Sequence, residues 1–398
     1  MRSIDDLAVG GQRVLVRADL NVPMDGLRIT DDGKIRASLP TLKALLARGA
    51  AVIVCSHLGR PGGRPEPALS LAPVAERLGQ LLSRPVVLAA GPAAAAVAAS
   101  LRPGAVAVLE NLRFSPGETS HDDAERVAFA GQLAALADQY VGDAFGAAHR
   151  RHASVAELPA LLPHAAGYLM QAEIAALRRL TRRAEGPYVV VLGGAKAAGK
   201  LPVLEHLLDR ADTILIGGAP TATFLAALGC PVGRSRQDGD VAVARAILDR
   251  AGARLVLPPD VMVAASRAGP QAASVVASGS VPAGQMLLDI GPRAAQLYAA
   301  RIAAARTVFW DGPMGVAEVP RFAAGTRAVA SAMARNRAFT AIGGGDTGAA
   351  VRACGYPASL FSHVSTGGGA SLEFLAGREL PGLIALGQGT FAAVLRAR

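Results

Sequence analysis

Short β-branched runs alternate with longer, alanine-rich amphipathic stretches along the whole chain, and this alternation narrows the possible folds more than any other feature. Strand-like runs fall at 13–17, 51–55, 106–109, 188–192, 213–216, 255–257, 307–310 and 339–342. Helix-like stretches lie between them, at 39–48, 74–82, 122–137, 200–208 and 241–251. Strand, turn, helix and strand in repetition is the pattern of parallel sheets with crossover helices, so the expected class is α/β. Ligands of such sheets bind at the carboxyl ends of the strands. The conspicuous glycine turns at 59, 193–194, 217–218 and 343–345 fall at those ends.

At 398 residues the chain exceeds one ordinary core and suits two domains of roughly 150–200 residues each. A boundary is expected near 165–187, where a charged helix over 173–183 gives way to Glu185-Gly186-Pro187 and a fresh strand. The turns that follow strands before this point carry His and Arg; those beyond it carry glycine with Lys, Asp and Thr. That division assigns an anionic acceptor to one half and nucleotide phosphates to the other.

Several classes are excluded early. Apolar residues make up 51% and charged residues 18%, a composition able to bury real cores. No stretch approaches the roughly 20 unbroken apolar residues of a membrane span, and Met1 to Asp6 lacks a signal layout. A cytoplasmic protein with no membrane partner is therefore expected. Cys55, Cys230 and Cys354 are far apart in sequence and are expected as small buried hydrophobes in a reducing compartment. The net charge of +10 raises a nucleic-acid partner, but aromatics are only 4% and no run of five basic residues occurs. Single-strand binders add stacking aromatics to a basic groove, so a small anion explains the charge with fewer assumptions. Only four of the 41 basic residues are lysine: Lys34, Lys43, Lys196 and Lys200. A lysine in a loop that carries chemistry thus runs against the composition.

Two of the four stand in the loop 192–200, which follows a strand and opens a helix. Free backbone N–H groups and the helix dipole there suit an anion. Gly194 to Lys200 matches the first seven positions of a P-loop, but Leu201 stands where that motif needs a magnesium-binding hydroxyl. In 341–350, Asp346 and Thr347 sit at a helix cap. This is either an ordinary N-cap or a phosphate site with a carboxylate placed for Mg²⁺. A second glycine turn at 365–371 favours the latter. In the first half, 17–23, 56–61, 110–114 and 143–150 each follow a strand-like run and bear Asp, His or Arg. Singly, His57 or His149 reads as structural; together the four loops can converge on one cleft. H-E-x-x-H, G-x-S-x-G and a Ser-His-Asp order are all missing, which removes hydrolase and metalloprotease readings.

With these residues in view, the chain resembles the phosphoglycerate kinase family along essentially its whole length. The carrying motifs, in family order, are RADLNVP (17–23), SHLGRP (56–61), LENLRF (109–114), GDAFGAAHRRHAS (142–154), LGGAK (192–196), WDGPMGV (310–316), GGGDT (343–347) and STGGGASLE (365–373). The resemblance implies two Rossmann-like domains, each a parallel sheet flanked by helices, joined by a hinge. The acceptor domain would span 1–170, with 377–398 returning to it, and the nucleotide-binding domain 171–376. The implied reaction is reversible phosphoryl transfer between 1,3-bisphosphoglycerate and Mg-ADP, giving 3-phosphoglycerate and ATP. A monomer without nucleic-acid partners is expected. By motif, Asp19, Asn21, Lys34, His57, Arg60, Arg113 and Arg150 would hold 3-phosphoglycerate. Lys196 and Lys200 would meet the nucleotide phosphates, Glu318 the ribose, and Gly344, Gly345, Asp346 and Thr347 phosphate and metal. Asp346 would be the Mg²⁺ ligand, and Lys34 and Lys200 the catalytic cations.

The departures from the family pattern are local. Lys34 occupies the arginine position of a usual T-R-I-R, and Gly199 replaces an Asp. Gly217-Gly218-Ala219-Pro220 replaces GGGM; Gln285 and Leu287 replace Trp and Gly. Gly142 and Ala147 alter NDAFGTAHR, and Asp311 stands for the Asn of WNGPMG. The alternative implied is a paralogue for another carboxylic acid or nucleotide, or one with reduced or lost catalysis. The acceptor loops depart less than the nucleotide loops, so the expectation is the same acceptor and a slow, active kinase.

Overall fold

The computed structural model describes residues 1–268 and 272–387. Two compact units divide the chain, and the division falls inside helix Tyr168–Arg182, between Ile174 and Ala175. Residues 379–387 belong to the first unit. Of the expected return over 377–398, residues 388–398 lie outside the described residues. In the described part, Gly382 N donates to Ala148 O at 2.9 Å.

The first unit is built on a strand that is almost wholly buried, β1 (Arg13–Ala18). A small antiparallel hairpin follows, β2 (Met24–Asp25) with β3 (Arg28–Ile29). The remaining strands are β4 (Ala51–Cys55), β5 (Val86–Ala89), β6 (Val106–Leu109), β7 (Gln139–Asp143) and β8 (His164–Ala166). They form a six-stranded parallel sheet in the order β5-β6-β4-β1-β7-β8. The near-continuous apolar character of β1 and β4 follows from cover on both faces of a parallel sheet. Val14, Val16, Val52, Val54, Val106 and Val108 pack with Ile35, Leu42 and Leu45 of helix Gly33–Ala47. Burial of each such side chain contributes about 1.5–3 kcal/mol.

Two local expectations are revised. Helix Gly33–Ala47 starts well before the expected 39 and runs through Pro40. Ile35, Ser38, Leu42, Leu45 and Leu46 recur at helical spacing on its buried face, and this packing outweighs the proline's missing donor. Lys34 is thereby placed in the first turn. Strand β7, reading Gln-Tyr-Val-Gly-Asp, has little β-branched character, so the run expected before loop 143–150 had no defined range; it spans Gln139–Asp143 and pairs along β1. Cys55 is buried as expected, whereas Cys230 and Cys354 are only half-buried; all three are free thiols.

The second unit repeats the plan. Its strands are β9 (Tyr188–Leu192), β10 (Thr213–Ile216), β11 (Leu255–Val256), β12 (Asp260–Ala264), β13 (Ser274–Ala277), β14 (Met286–Ile290), β15 (Thr307–Asp311), β16 (Phe339–Gly343) and β17 (His363–Val364). Six make a parallel sheet in the order β11-β10-β9-β15-β16-β17. The other three form a separate antiparallel sheet, β13-β12-β14, which the sequence pattern did not announce. Met262 and Asp289, paired in its centre, break the β-branched runs that signal strands elsewhere. Trp310, in β15, is fully buried and donates from Nε1 to Gly312 O at 2.8 Å. Among the described residues no helix is long and apolar enough to cross a membrane.

Candidate active site

In the first unit the candidate side chains gather past the carboxyl ends of four neighbouring strands, β6, β4, β1 and β7. Asp19 follows β1, His57 follows β4, Arg113 follows β6 and Arg150 follows β7. Lys34 reaches this rim from the first turn of its helix. Its Nζ lies 2.9 Å from Asp19 Oδ2, a carboxylate only 3% exposed. Asn21 Oδ1 accepts from Gly59 N at 3.0 Å, and Arg113 Nη1 donates to Gly59 O at 2.7 Å. The SHLGRP loop is thus tied to both neighbouring loops. Arg60 on it is exposed and Arg150 half-buried.

Positive charge accumulates at this rim. Burial pulls the Arg113 guanidinium down to about 10, and Arg150, Arg17 and Arg60 push the same way. Arg113 Nε is buried with no protein partner. His57 is held well below the ordinary imidazole value, first by burial and then by Arg17, Arg113, His152 and Lys34. His152 is pulled down to about 3 by burial and the same arginines. Both rings are therefore neutral near pH 7, and the cations beside them remain available to an anion.

Three residues of this neighbourhood were not singled out in sequence: Arg17, Glu118 and Ser154. Arg17 is fully buried in β1, and Glu118, on the short helix Pro116–Thr119, is fully buried as well. Burial raises the Glu118 carboxyl above its ordinary value, while Arg17 and the Ser154 hydrogen bonds act against that. A signal existed, since Arg17 opens the RADLNVP motif and Ser154 closes the fourth. Their partnership spans more than a hundred positions, so spacing could not reveal it.

In the second unit the glycine loops pack backbone against backbone. Gly312 has φ +92, and a Cβ there would meet the Gly193 carbonyl at 2.3 Å. Gly218, at φ +56, would press on Gly194 N at 2.5 Å. Glycine is required at both positions. Lys196 is exposed on the loop after β9, whereas Lys200 is 8% exposed at the cap of helix Leu201–Leu207. Burial pulls Lys200 down to about 7, with the Asp346 carboxylate acting against it. Lys200 Nζ contacts Asp311 Oδ2, the carboxylate that replaces the family's Asn.

Asp346 is exposed in the first turn of helix Gly345–Ala353, which Gly344 caps at φ 75. Thr347 is buried; its Oγ1 accepts from Gly312 N at 2.8 Å and lies 3.5 Å from Asp311 Oδ1. Its hydroxyl therefore braces the β15 turn. A cleft of about 210 Å³ adjoins these loops, lined by Gly194, Ala219, Leu287, Val316 and Glu318 among others. Gly194 also lies 3.9 Å, from its virtual Cβ, from Lys200 Cε. The apolar cleft and the cationic loop thus share one glycine. Among the described residues no cluster of three or more His, Cys, Asp or Glu could cage a metal.

Comparison with known proteins bears on this arrangement directly. The profile of the family described as phosphoglycerate kinase matches residues 4–378. A phosphoglycerate kinase of Streptomyces griseus subsp. griseus is 57% identical over 401 residues, covering 97% of this chain and all of that protein. One of Frankia casuarinae is 56% identical with the same coverage. Among solved structures, the phosphoglycerate kinase of Coxiella burnetii superposes with TM-score 0.84 at 37% identity, over 98% of this chain and 99% of that one. That of Pyrococcus horikoshii OT3 gives 0.88 at 34% identity, over 97% and 98%. Two parallel sheets, a cationic rim past one, glycine loops past the other and full-length likeness of this degree agree: the chain belongs to the phosphoglycerate kinase family.

Proposed function

We propose that the protein transfers a phosphoryl group reversibly between 1,3-bisphosphoglycerate and Mg-ADP, yielding 3-phosphoglycerate and ATP. The observation that carries this reading is the cationic rim, where Arg113 Nε is buried and unpartnered with Arg150 and Arg60 acting on it, and where Lys34 is held by Asp19. Such a site gains most from a small ligand with two anionic ends. Asp19, Asn21, Lys34, His57, Arg60, Arg113 and Arg150 hold the acceptor, in a domain assigned to 1–170 with 377–398. The nucleotide is held by the domain 171–376, its base in the apolar cleft and its ribose at Glu318. Its phosphates extend past Gly194 to Lys196, Lys200, Gly344, Gly345 and Thr347.

The exposed Asp346 carboxylate, standing apart from any acidic cage, suits Mg²⁺, which keeps its waters and takes substrate phosphates as ligands. Bound there, the metal would neutralise phosphate charge. The chain's own work is positioning and charge stabilisation, since phosphoryl transfer asks for little covalent chemistry from the protein. Lys200 neutralises the phosphate being transferred and Lys34 meets it from the acceptor side. The hinge implied by the family brings the reactants together away from water. A monomer acting on small molecules in the cytoplasm, with no nucleic-acid partner, completes the reading.

Thermal shift separates this from a nucleic-acid-binding basic protein. Mg-ADP and 3-phosphoglycerate, added singly at about one hundred times Kd, are each expected to stabilise by about 2.7 kcal/mol. That raises Tm by several degrees. Absence of both shifts, with steeply salt-dependent retention on a polyanion column, would reject the kinase reading.

A further inference from the structure

We infer that Arg17, backed by Ser154 and Glu118, is a positioning residue that fixes His57 as a neutral hydrogen-bond donor through Nε2. The inference rests on the acceptor-site reading of His57. It begins with an anomaly in the sheet: a fully buried arginine near the carboxyl end of β1, where every other buried residue of the strand is apolar. A buried cation is costly unless its donors are satisfied. Here Nε donates to Ser154 Oγ at 2.8 Å, Nη1 to Ala18 O at 2.5 Å, and Nη2 meets His57 Nδ1 at 3.1 Å.

A guanidinium can only donate. The Arg17–His57 contact is therefore a hydrogen bond only when Nδ1 is unprotonated and accepts. An imidazole without a proton on Nδ1 carries its one proton on Nε2, and it is not an imidazolium. Arg17 thus selects one of the three protonation forms of His57. That form offers a donor, which a carboxylate or phosphate oxygen of the acceptor can take, and gives up the charge.

The other two residues fix the guanidinium plane. Ser154 Oγ lies 2.7 Å from Glu118 Oε1 and Ser154 N donates to Glu118 Oε2 at 3.0 Å. The single hydroxyl proton goes to the carboxylate, which leaves an Oγ lone pair facing Arg17 Nε. Tyr140 OH donates to Ser154 O at 2.8 Å and holds the serine backbone in place. Glu118 Oε1 is 3.9 Å from Arg17 Nη2, so the buried charges also offset each other. The donor order runs Arg17 to Ser154 to Glu118 on one side and Arg17 to His57 on the other.

The test uses the full-length protein with ¹⁵N-labelled histidine. Long-range ¹H–¹⁵N spectra near pH 7.5 report each ring's tautomer, and the signal lost in His57→Gln identifies His57 among the seven histidines. The expected spectrum is neutral with the proton on Nε2. Ser154→Ala removes the bracing hydroxyl, and Arg17→Lys keeps the charge but loses the fork; in each, the Nδ1-protonated form should appear. KM for 3-phosphoglycerate should rise roughly three- to tenfold, the effect of one lost or misaligned hydrogen bond, while KM for Mg-ATP holds. A merely structural defect would move both constants. An Nδ1-protonated or imidazolium His57 in the wild type overturns the proposal, as does an unchanged spectrum and KM in whichever variant folds. Wild type with the Nε2 proton in place but no affinity for 3-phosphoglycerate would instead overturn the acceptor reading, and with it the use of this donor.

Discussion

Lys200→Met is expected to lower kcat about a hundred- to a thousandfold, the usual loss when one donor aimed at transition-state charge is removed from a shielded site. Lys200 is among four lysines in a chain otherwise rich in arginine. It is 8% exposed, its ammonium touches Asp311, and Asp346 lies close enough to act on it. Burial that pulls it to about 7 also strengthens every interaction it makes with phosphate. Methionine keeps the length and the apolar packing and deletes the charge. Because the acceptor rim lies in the other unit, the thermal shift produced by 3-phosphoglycerate should be unchanged. Loss of that shift would mean that the variant is damaged globally, and a kcat within a few-fold of wild type would remove Lys200 from the transferring phosphoryl.

The second large effect concerns Lys34. Lys34→Ala should lower kcat at least about tenfold, since on the proposed reading it deletes the cation assigned to the transferring group from the acceptor side. It also strips Asp19, 3% exposed, of its 2.9 Å partner, at a cost of about 1.5–3 kcal/mol for a charged hydrogen bond. A chemical-denaturation midpoint reads that cost separately from the rate. Lys34→Arg should act in the opposite direction. A guanidinium can keep one N–H on Asp19 and present a second to a phosphoryl oxygen, where the ammonium divides a single charge between them. A rise in kcat of a few-fold is expected; an unchanged or lower kcat would show that lysine is no impaired substitute here.

Much of the fold was legible because parallel strands buried on both faces must be apolar. Ala51–Cys55 and Tyr188–Leu192 announce themselves for that reason. The bounds of strand Gln139–Asp143 are less plain, because its place beside β1 is set by long-range pairing more than by its own residues. The antiparallel sheet escaped for a related reason: Asp260 opens β12 and Asp289 interrupts β14. Their carboxylates instead accept from helix starts, at Ala294 N (2.8 Å) and Gly325 N (2.9 Å). In the candidate site, the motif loops alone put Asp19, His57, Arg113 and Lys200 on segments that follow strands. What the sequence could not show is which side chains occupy one another: Lys34 with Asp19, Lys200 with Asp311, and Thr347 with the Gly312 backbone. Those pairings arise from loops brought together by separate strands.

The most direct measurement is a coupled assay with 3-phosphoglycerate and Mg-ATP, run beside other small carboxylic acids and other nucleotides. Turnover with 3-phosphoglycerate above that with any other acid is predicted. No turnover at millimolar substrate, by protein that still shows both ligand-induced thermal shifts, would contradict it.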